Sequence, residues 1–375
     1  MDQSIPWYIW CSVAAVTSAM IGTHWDIAWH RSIGRDSFWT PAHVAIYFCG
    51  VLAGLSCGFL ILNTTFRKTK EAWKCSVSIW GFRGPLGAFI AAWGGLAMIT
   101  SAPFDNWWHG AYGLDVKILS PPHVLLILGI IGVQLGALIL ILGEMNRAAG
   151  ERRSKLMALF LYVGAVVLVM QLVLFMEHTF RSYMHGARFY RTLALSVPLV
   201  LAGLAHASGK RWAATTVAGL YTVILLGFLW ILPLFPAEPK LGPVYREVKT
   251  FIPPEFPLAI VLPALAIDLV RRKMNDAGKW RQALAAGPAF LLVLVAAQWP
   301  LADLLLSPLA RNAVLGSIYF DYNIPSTSYY VRHLYYPTES TPLEFWLNMG
   351  LALVFAVLST RVGLGWGDWM RRIRR

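Results

Sequence analysis

The chain has 375 residues, 57% of them hydrophobic and only 14% charged, with a mean hydropathy of +0.56. A soluble domain is about one quarter charged, so this balance excludes an ordinary water-soluble body. The net charge of +13 does not indicate nucleic acid, because the basic residues are dispersed over short connections and not gathered on one domain.

In chain order, long, mostly apolar runs recur at 6–30, 41–62, 85–106, 121–144, 155–178, 189–207, 212–233, 257–272, 284–306 and 344–364. A spanning helix needs about 20 mostly apolar residues, so the pattern predicts an all-α, polytopic transmembrane bundle of about ten spans. The lipid bilayer is its first partner. Residues 1–146 read as a duplicated two-hairpin unit, and 147–375 as further helices with two longer outer loops. The start, MDQSIPWYIWCSVAAV, has neither a basic leader nor a small-residue cleavage site, and reads as the first span. Prolines mark several helix starts (Pro41, Pro85, Pro121 with Pro122, Pro257), where a missing N–H costs nothing. Seventeen Trp and fourteen Tyr suit aromatic belts at two interfaces. The four cysteines (Cys11, Cys49, Cys57, Cys75) lack paired spacing and read as packing residues.

Lys and Arg concentrate in the even-numbered connections and the C-terminal tail, among them Arg67, Lys68, Lys70, Arg152, Arg153, Arg271, Arg272, Arg371 and Arg372. The positive-inside rule then puts both termini in the cytoplasm, the membrane being the plasma (inner) membrane. Eight of the nine histidines fall at outer span ends or in outer connections: His24, His30, His43, His109, His123, His178, His185 and His333. Only His206 falls on the inner side.

Two of these outer turns resemble each other. The first reads HWDIAWHRSIGRDSFWTPAHV and the second FDNWWHGAYGLDVKILSPPHV. Aligned, Asp26 matches Asp105, His30 matches His109, Gly34 matches Gly113 and Asp36 matches Asp115. Pro41 and His43 then match Pro121 and His123, with one residue inserted in the second copy. Asp and His four apart share a helix face, and the later His sits in the first turn of the returning helix. Asp26, His30 and His43 can therefore converge, as can Asp105, His109 and His123. Two imidazoles with a carboxylate suit copper, iron or zinc and leave a coordination position open. The plainer alternative is an Asp–His hydrogen bond holding a helix end. Its repetition, and the expense of ionisable groups in a membrane, favour the metal.

The pattern Asp26-x3-His30-x12-His43 resembles the metal-binding motif in the C subunit of copper membrane monooxygenases, the particulate methane and ammonia type. The resemblance covers residues 26–43, and the second copy departs from it by one residue before His123. It implies copper at Asp26, His30 and His43, and a family chemistry in which small apolar molecules are hydroxylated with oxygen.

Farther along, FMEHTFRSYMHGARFYR offers Glu177, His178 and His185 as secondary ligand candidates, with Arg181 as an ion-pair partner of Glu177. His24 lies off the Asp26/His30 face and reads as an interfacial or loop-contacting residue. The outer segment 307–343 is tyrosine-rich (Tyr319, Tyr322, Tyr329, Tyr330, Tyr335, Tyr336) and reads as a lid or a partner-docking surface, from which His333 can reach a metal. Three functions follow. The first is a membrane oxidoreductase acting on a small or lipophilic substrate. The others are a metal-handling transporter and a structural or cofactor-holding subunit contacting other membrane subunits. Transporters usually bind at the midplane, whereas these ligands lie at span ends. Phosphate-cradling loops, serine-nucleophile motifs and thiolate clusters are absent from the sequence.

Overall fold

A computed structural model of the chain describes residues 4–113, 119–240, 247–320 and 339–374. The described residues are almost wholly helical. In order they form α1 (Trp7–Ser32), α2 (Pro41–Arg67), a short α3 (Lys70–Lys74), the strands β1 (Val77–Ile79) and β2 (Phe82–Gly84), and α4 (Leu86–Tyr112). Then come α5 (Pro121–Met145), α6 (Gly150–Leu174), α7 (Ala187–Ser208), α8 (Ala213–Ile231), α9 (Val261–Lys273), α10 (Lys279–Leu306) and α11 (Pro342–Arg372).

Eight of these are long and apolar enough to cross a bilayer: α2, α4, α5, α6, α7, α8 with the turn that extends it to Leu234, α10 and α11. Two of the ten expected runs fall outside that set. Helix α1 has the length, at 26 residues, but toward its C-terminal end it carries His24, Asp26, His30 and Arg31. Helix α9 has only 13 residues, about 20 Å at 1.5 Å per residue, against a hydrocarbon core of about 30 Å. Pro253, Pro254 and Pro257 precede it, and 251–258 is not helical. Proline has no N–H to give and biases the residue before it away from helix. On α2 the side chains of Phe48, Val51, Leu55, Phe59, Leu62 and Phe66 stand exposed at helical spacing, an apolar stripe suited to acyl chains.

The contacts divide the chain into two compact units. The first comprises 1–26, 36–166 and 370–375, the second 27–35 and 167–369. In the first, glycines set the helix crossings. A Cβ on Gly94 would lie 2.6 Å from the Gly129 carbonyl oxygen, and one on Gly136 2.6 Å from Gly87 O, so α4 and α5 touch backbone to backbone. Gly95 meets Gly50 in the same manner across α4 and α2, and Gly22 meets Ile46 across α1 and α2. Close approach of small residues is how helices associate where lipid removes the hydrophobic drive. The hairpin β1–β2 turns through Trp80 and Gly81, both at positive φ, in register Val77↔Gly84. At the same end of the unit, Glu144 accepts from Tyr8 Oη (2.8 Å), Arg147 (2.6 Å) and Arg152 (2.6 Å).

In the second unit, the fully buried Asp268 of α9 accepts from the backbone N–H groups of Ala214 (3.3 Å) and Thr215 (2.9 Å). It thus caps the start of α8 from another helix. Gly203, Gly363 and Gly367 set the α7–α11 crossing and Gly287 the α10–α11 crossing. At one end of this unit His206 Nε2 meets Asp368 Oδ1 at 2.7 Å, with Lys279 on the other carboxylate oxygen.

Candidate metal centre

The first cluster is built by one helix–turn–helix. α1 closes with Ile33 N–H and Gly34 N–H both donating to Trp29 O. Gly34 takes φ +83°, a conformation that disfavours any side chain. The chain then turns back through Asp36. Ser37 N–H donates to Thr40 Oγ1 at 2.8 Å and Thr40 N–H to Ser37 O at 3.0 Å, and α2 starts on Pro41. This path brings Asp26, His30, Asp36 and His43 together, with one ligand atom from each lying within 4.8 Å of all the others.

The second cluster repeats the construction. Helix α4 ends at Gly113, whose φ is +90° and whose N–H donates to His109 O at 3.0 Å. Helix α5 starts on Pro121, and Asp105, His109 and His123 gather with ligand atoms within the same 4.8 Å. Asp115 and His333 lie outside the described residues, as do Tyr322, Tyr329, Tyr330, Tyr335 and Tyr336.

Hydrogen bonding fixes the tautomers. His43 Nδ1 lies 3.0 Å from Ser37 O, and a carbonyl only accepts, so Nδ1 carries the proton and donates. The other nitrogen, Nε2, then faces two carboxylates, Asp26 Oδ1 and Asp36 Oδ2, each at 3.1 Å. Likewise His109 Nδ1 donates to Gly113 O at 3.2 Å, while its Nε2 faces Asp105 Oδ2 at 3.3 Å. His123 Nε2 stands 3.5 Å from Asp105 Oδ1. Metal-bound histidines characteristically give their second ring N–H to a carbonyl or carboxylate in this way. The pocket between Nε2 and the carboxylates calls for positive charge, from a second ring proton or from a cation.

The spacings are compatible with either. Charge-assisted N–H···O bonds run about 2.7–2.9 Å. Two ligand atoms about 2.0–2.2 Å from one ion sit about 2.8–3.6 Å apart at octahedral to tetrahedral angles. The four Asp–His separations, 3.1 to 3.5 Å, fall in the second range. The same chain makes ordinary Asp–His hydrogen bonds elsewhere, at 2.9 Å for His185–Asp303 and 2.7 Å for His206–Asp368. All seven residues of the two clusters are half-buried, reachable from outside yet shielded from bulk water.

The secondary candidates are engaged differently. His178 Nδ1 accepts from Arg188 Nη2 at 2.8 Å, which occupies its lone pair, and Glu177 is exposed. His185 is bonded to Asp303 and packs edge-on against Trp299. Arg181 is buried, with Nη1 on Ser317 Oγ and its guanidinium over Phe320. Among the described residues none of these joins a metal-type group. His24 is buried, its Nδ1 2.9 Å from Met20 O, and so is not the interfacial residue its position suggested. The residue that spacing arguments left out is Asp36. Its match to Asp115 in the repeat was the available signal, but nothing in the spacing put it beside His43.

Fold and clusters together define a membrane-helical protein with two Asp/His groups able to hold a metal ion. The chain matches no protein-family model, no curated protein and no solved structure.

Proposed function

We propose that the chain is an integral membrane metalloprotein whose Asp26, His30, Asp36, His43 and Asp105, His109, His123 clusters hold metal ions at the outer face. Copper is favoured over iron and zinc, and the activity is a monooxygenase-like oxidation of a small or lipophilic substrate. One observation carries the metal reading. In each cluster an imidazole commits Nδ1–H to a backbone carbonyl and points Nε2 at carboxylate oxygens 3.1 to 3.3 Å away. The nitrogen–oxygen donor set and the motif resemblance support copper. Such a metal would activate oxygen or polarise a bound substrate. The chain's own residues orient the ligands, and exposed aromatic side chains beside them, Trp39 and Trp107, suit an apolar substrate arriving from the bilayer.

The charge asymmetry of the connections supports cytoplasmic termini and an outward site. The paired construction, with glycine at positive φ after the first His and proline before the last, supports duplication of a helix hairpin. The deciding experiment is elemental analysis of detergent-purified protein beside His30→Ala/His109→Ala. Stoichiometric copper, iron or zinc in the wild type, reduced in the double variant, is expected. Its absence from the wild type sinks the metal reading, and unchanged metal in the variant shows other ligands. Tags on each terminus test orientation, an external C-terminus being the contrary result.

A further inference from the structure

The segment between α2 and α4 lies at the far end of α2 from His43, where Arg67, Lys68, Lys70 and Lys74 are exposed. Residues 67–85 hold five basic side chains against one acidic, Glu71. The segment is pinned to α2. Arg83 N–H donates to Thr65 Oγ1 at 2.8 Å and Trp73 Nε1 to Thr64 O at 3.1 Å, and a Cβ on Gly84 would lie 2.9 Å from Ile61. The Arg83 guanidinium covers the Trp73 ring at 4.2 Å.

The tip of the hairpin departs from ordinary turn chemistry. Ile79 pairs with Phe82, which leaves Trp80 and Gly81 as a two-residue turn, at φ +51° and +83°. Such turns favour Asn-Gly, because asparagine tolerates left-handed backbone and a bulky side chain does not. Strain of this kind persists where a side chain has a task. The Trp80 side chain is 85% exposed, and its ring centroid lies 5.5 Å from that of Trp93. Trp93 is roughly 10 Å along α4 from its start and heads an exposed apolar row with Leu96 and Ile99. The tip therefore folds back along the lipid-facing side of α4.

We propose that the α3–β1–β2 segment is an interfacial anchor for anionic lipid, with Trp80 seated at the boundary of headgroups and acyl chains and Lys68, Lys70 and Lys74 on the lipid phosphates. Trp80 extends the apolar row of Trp93, Leu96 and Ile99, and tryptophan is the residue that membrane interfaces select. The unpaired edges of a two-stranded sheet are too costly in hydrocarbon, which holds the strands at headgroup depth. The surplus positive charge sits at that same depth. Basic residues beside a spanning helix each favour an anionic surface by about fivefold. The anchor is independent of the metal reading.

The test uses the full chain, labelled with 5-fluorotryptophan, in nanodiscs of phosphatidylcholine containing phosphatidylglycerol. Trp80→Phe assigns the Trp80 fluorine resonance by its disappearance. That resonance should broaden with lipid carrying a nitroxide high on the acyl chain and stay sharp with a water-soluble gadolinium chelate; any other pattern overturns the seating of Trp80. Headgroup recognition is read from the immobilised fraction of spin-labelled phosphatidylglycerol against spin-labelled phosphatidylcholine. Lys68→Gln/Lys70→Gln/Lys74→Gln should cut the preference for phosphatidylglycerol by about half or more. Arg211→Gln/Arg272→Gln/Lys273→Gln, which removes equal charge elsewhere, should cut it less. A smaller loss in the first variant, or an equal or larger one in the second, overturns the headgroup site.

Discussion

His43 Nε2 stands 3.1 Å from Asp36 Oδ2 and the same distance from Asp26 Oδ1, so a single ring nitrogen faces two carboxylates. Asp36 is therefore expected to act as a ligand of the first cluster. Asp36→Asn keeps the size of the side chain and removes its charge. Copper affinity at the first cluster, read by competition with a coloured chelator in the His109→Ala/His123→Ala background, should fall by at least about tenfold. An unchanged affinity would leave Asp36 as a mere hydrogen-bond acceptor of His43.

Gly34 at φ +83° makes the turn that carries Asp36 back to the helix end. Alanine is strained there, so Gly34→Ala should cost about 1 kcal/mol or more and lower the melting temperature in detergent. It should also weaken the first cluster while leaving the second, a separation that thermal melting and single-site metal titration together resolve. Gly113→Ala, at φ +90°, should show the converse preference, because Gly113 O anchors His109.

The α4–α5 crossing predicts a sharper structural loss. A Cβ at Gly94 meets the Gly129 carbonyl oxygen and the Val133 nitrogen at 2.6 Å, both backbone atoms that cannot yield cheaply. Gly94→Val should abolish monodisperse elution from size-exclusion chromatography. Gly54→Val, where a Cβ meets nothing within 4 Å, is the matched control and should elute normally.

Histidines outside the two clusters should be irrelevant to metal. His185→Ala and His206→Ala each remove an Asp–His pair at ordinary bonding distance and should leave metal content unchanged. Loss of metal in either variant would show that residues outside the two clusters hold it.

Asp268 accepts from two backbone N–H groups at the start of α8 and from Thr215 Oγ1 at 2.9 Å. Removing a helix cap costs about 0.5–2 kcal/mol, and burial raises that figure here. Asp268→Ala should therefore lower thermal stability clearly, with metal content intact, as elemental analysis of the surviving folded fraction would show.

Much of the molecule was legible in the chain. Mostly apolar runs located the eight membrane-length helices, and Pro41 and Pro121 marked the starts of α2 and α5, whereas Pro257 did not start a helix. The Asp–His spacing placed Asp26 with His30 and Asp105 with His109 on single helix faces, a consequence of 3.6 residues per turn. What escaped depended on tertiary detail. Asp36 reaches the site only through the Gly34 turn and the Ser37–Thr40 hydrogen bonds, which spacing does not encode. The run 257–272 was already the shortest of the ten, and its helix starts only at Val261 and carries a buried Asp whose partner is another helix end. His24 looked interfacial because helix-face geometry says where a side chain lies on its own helix, not what covers it.

X-ray absorption on the copper-loaded wild-type chain tests the central claim most directly. The account predicts a shell of nitrogen and oxygen only, at about 2.0 Å, with imidazole scattering that disappears in the His30→Ala/His43→Ala/His109→Ala/His123→Ala variant. A sulfur shell, or imidazole scattering that survives in that variant, would contradict it.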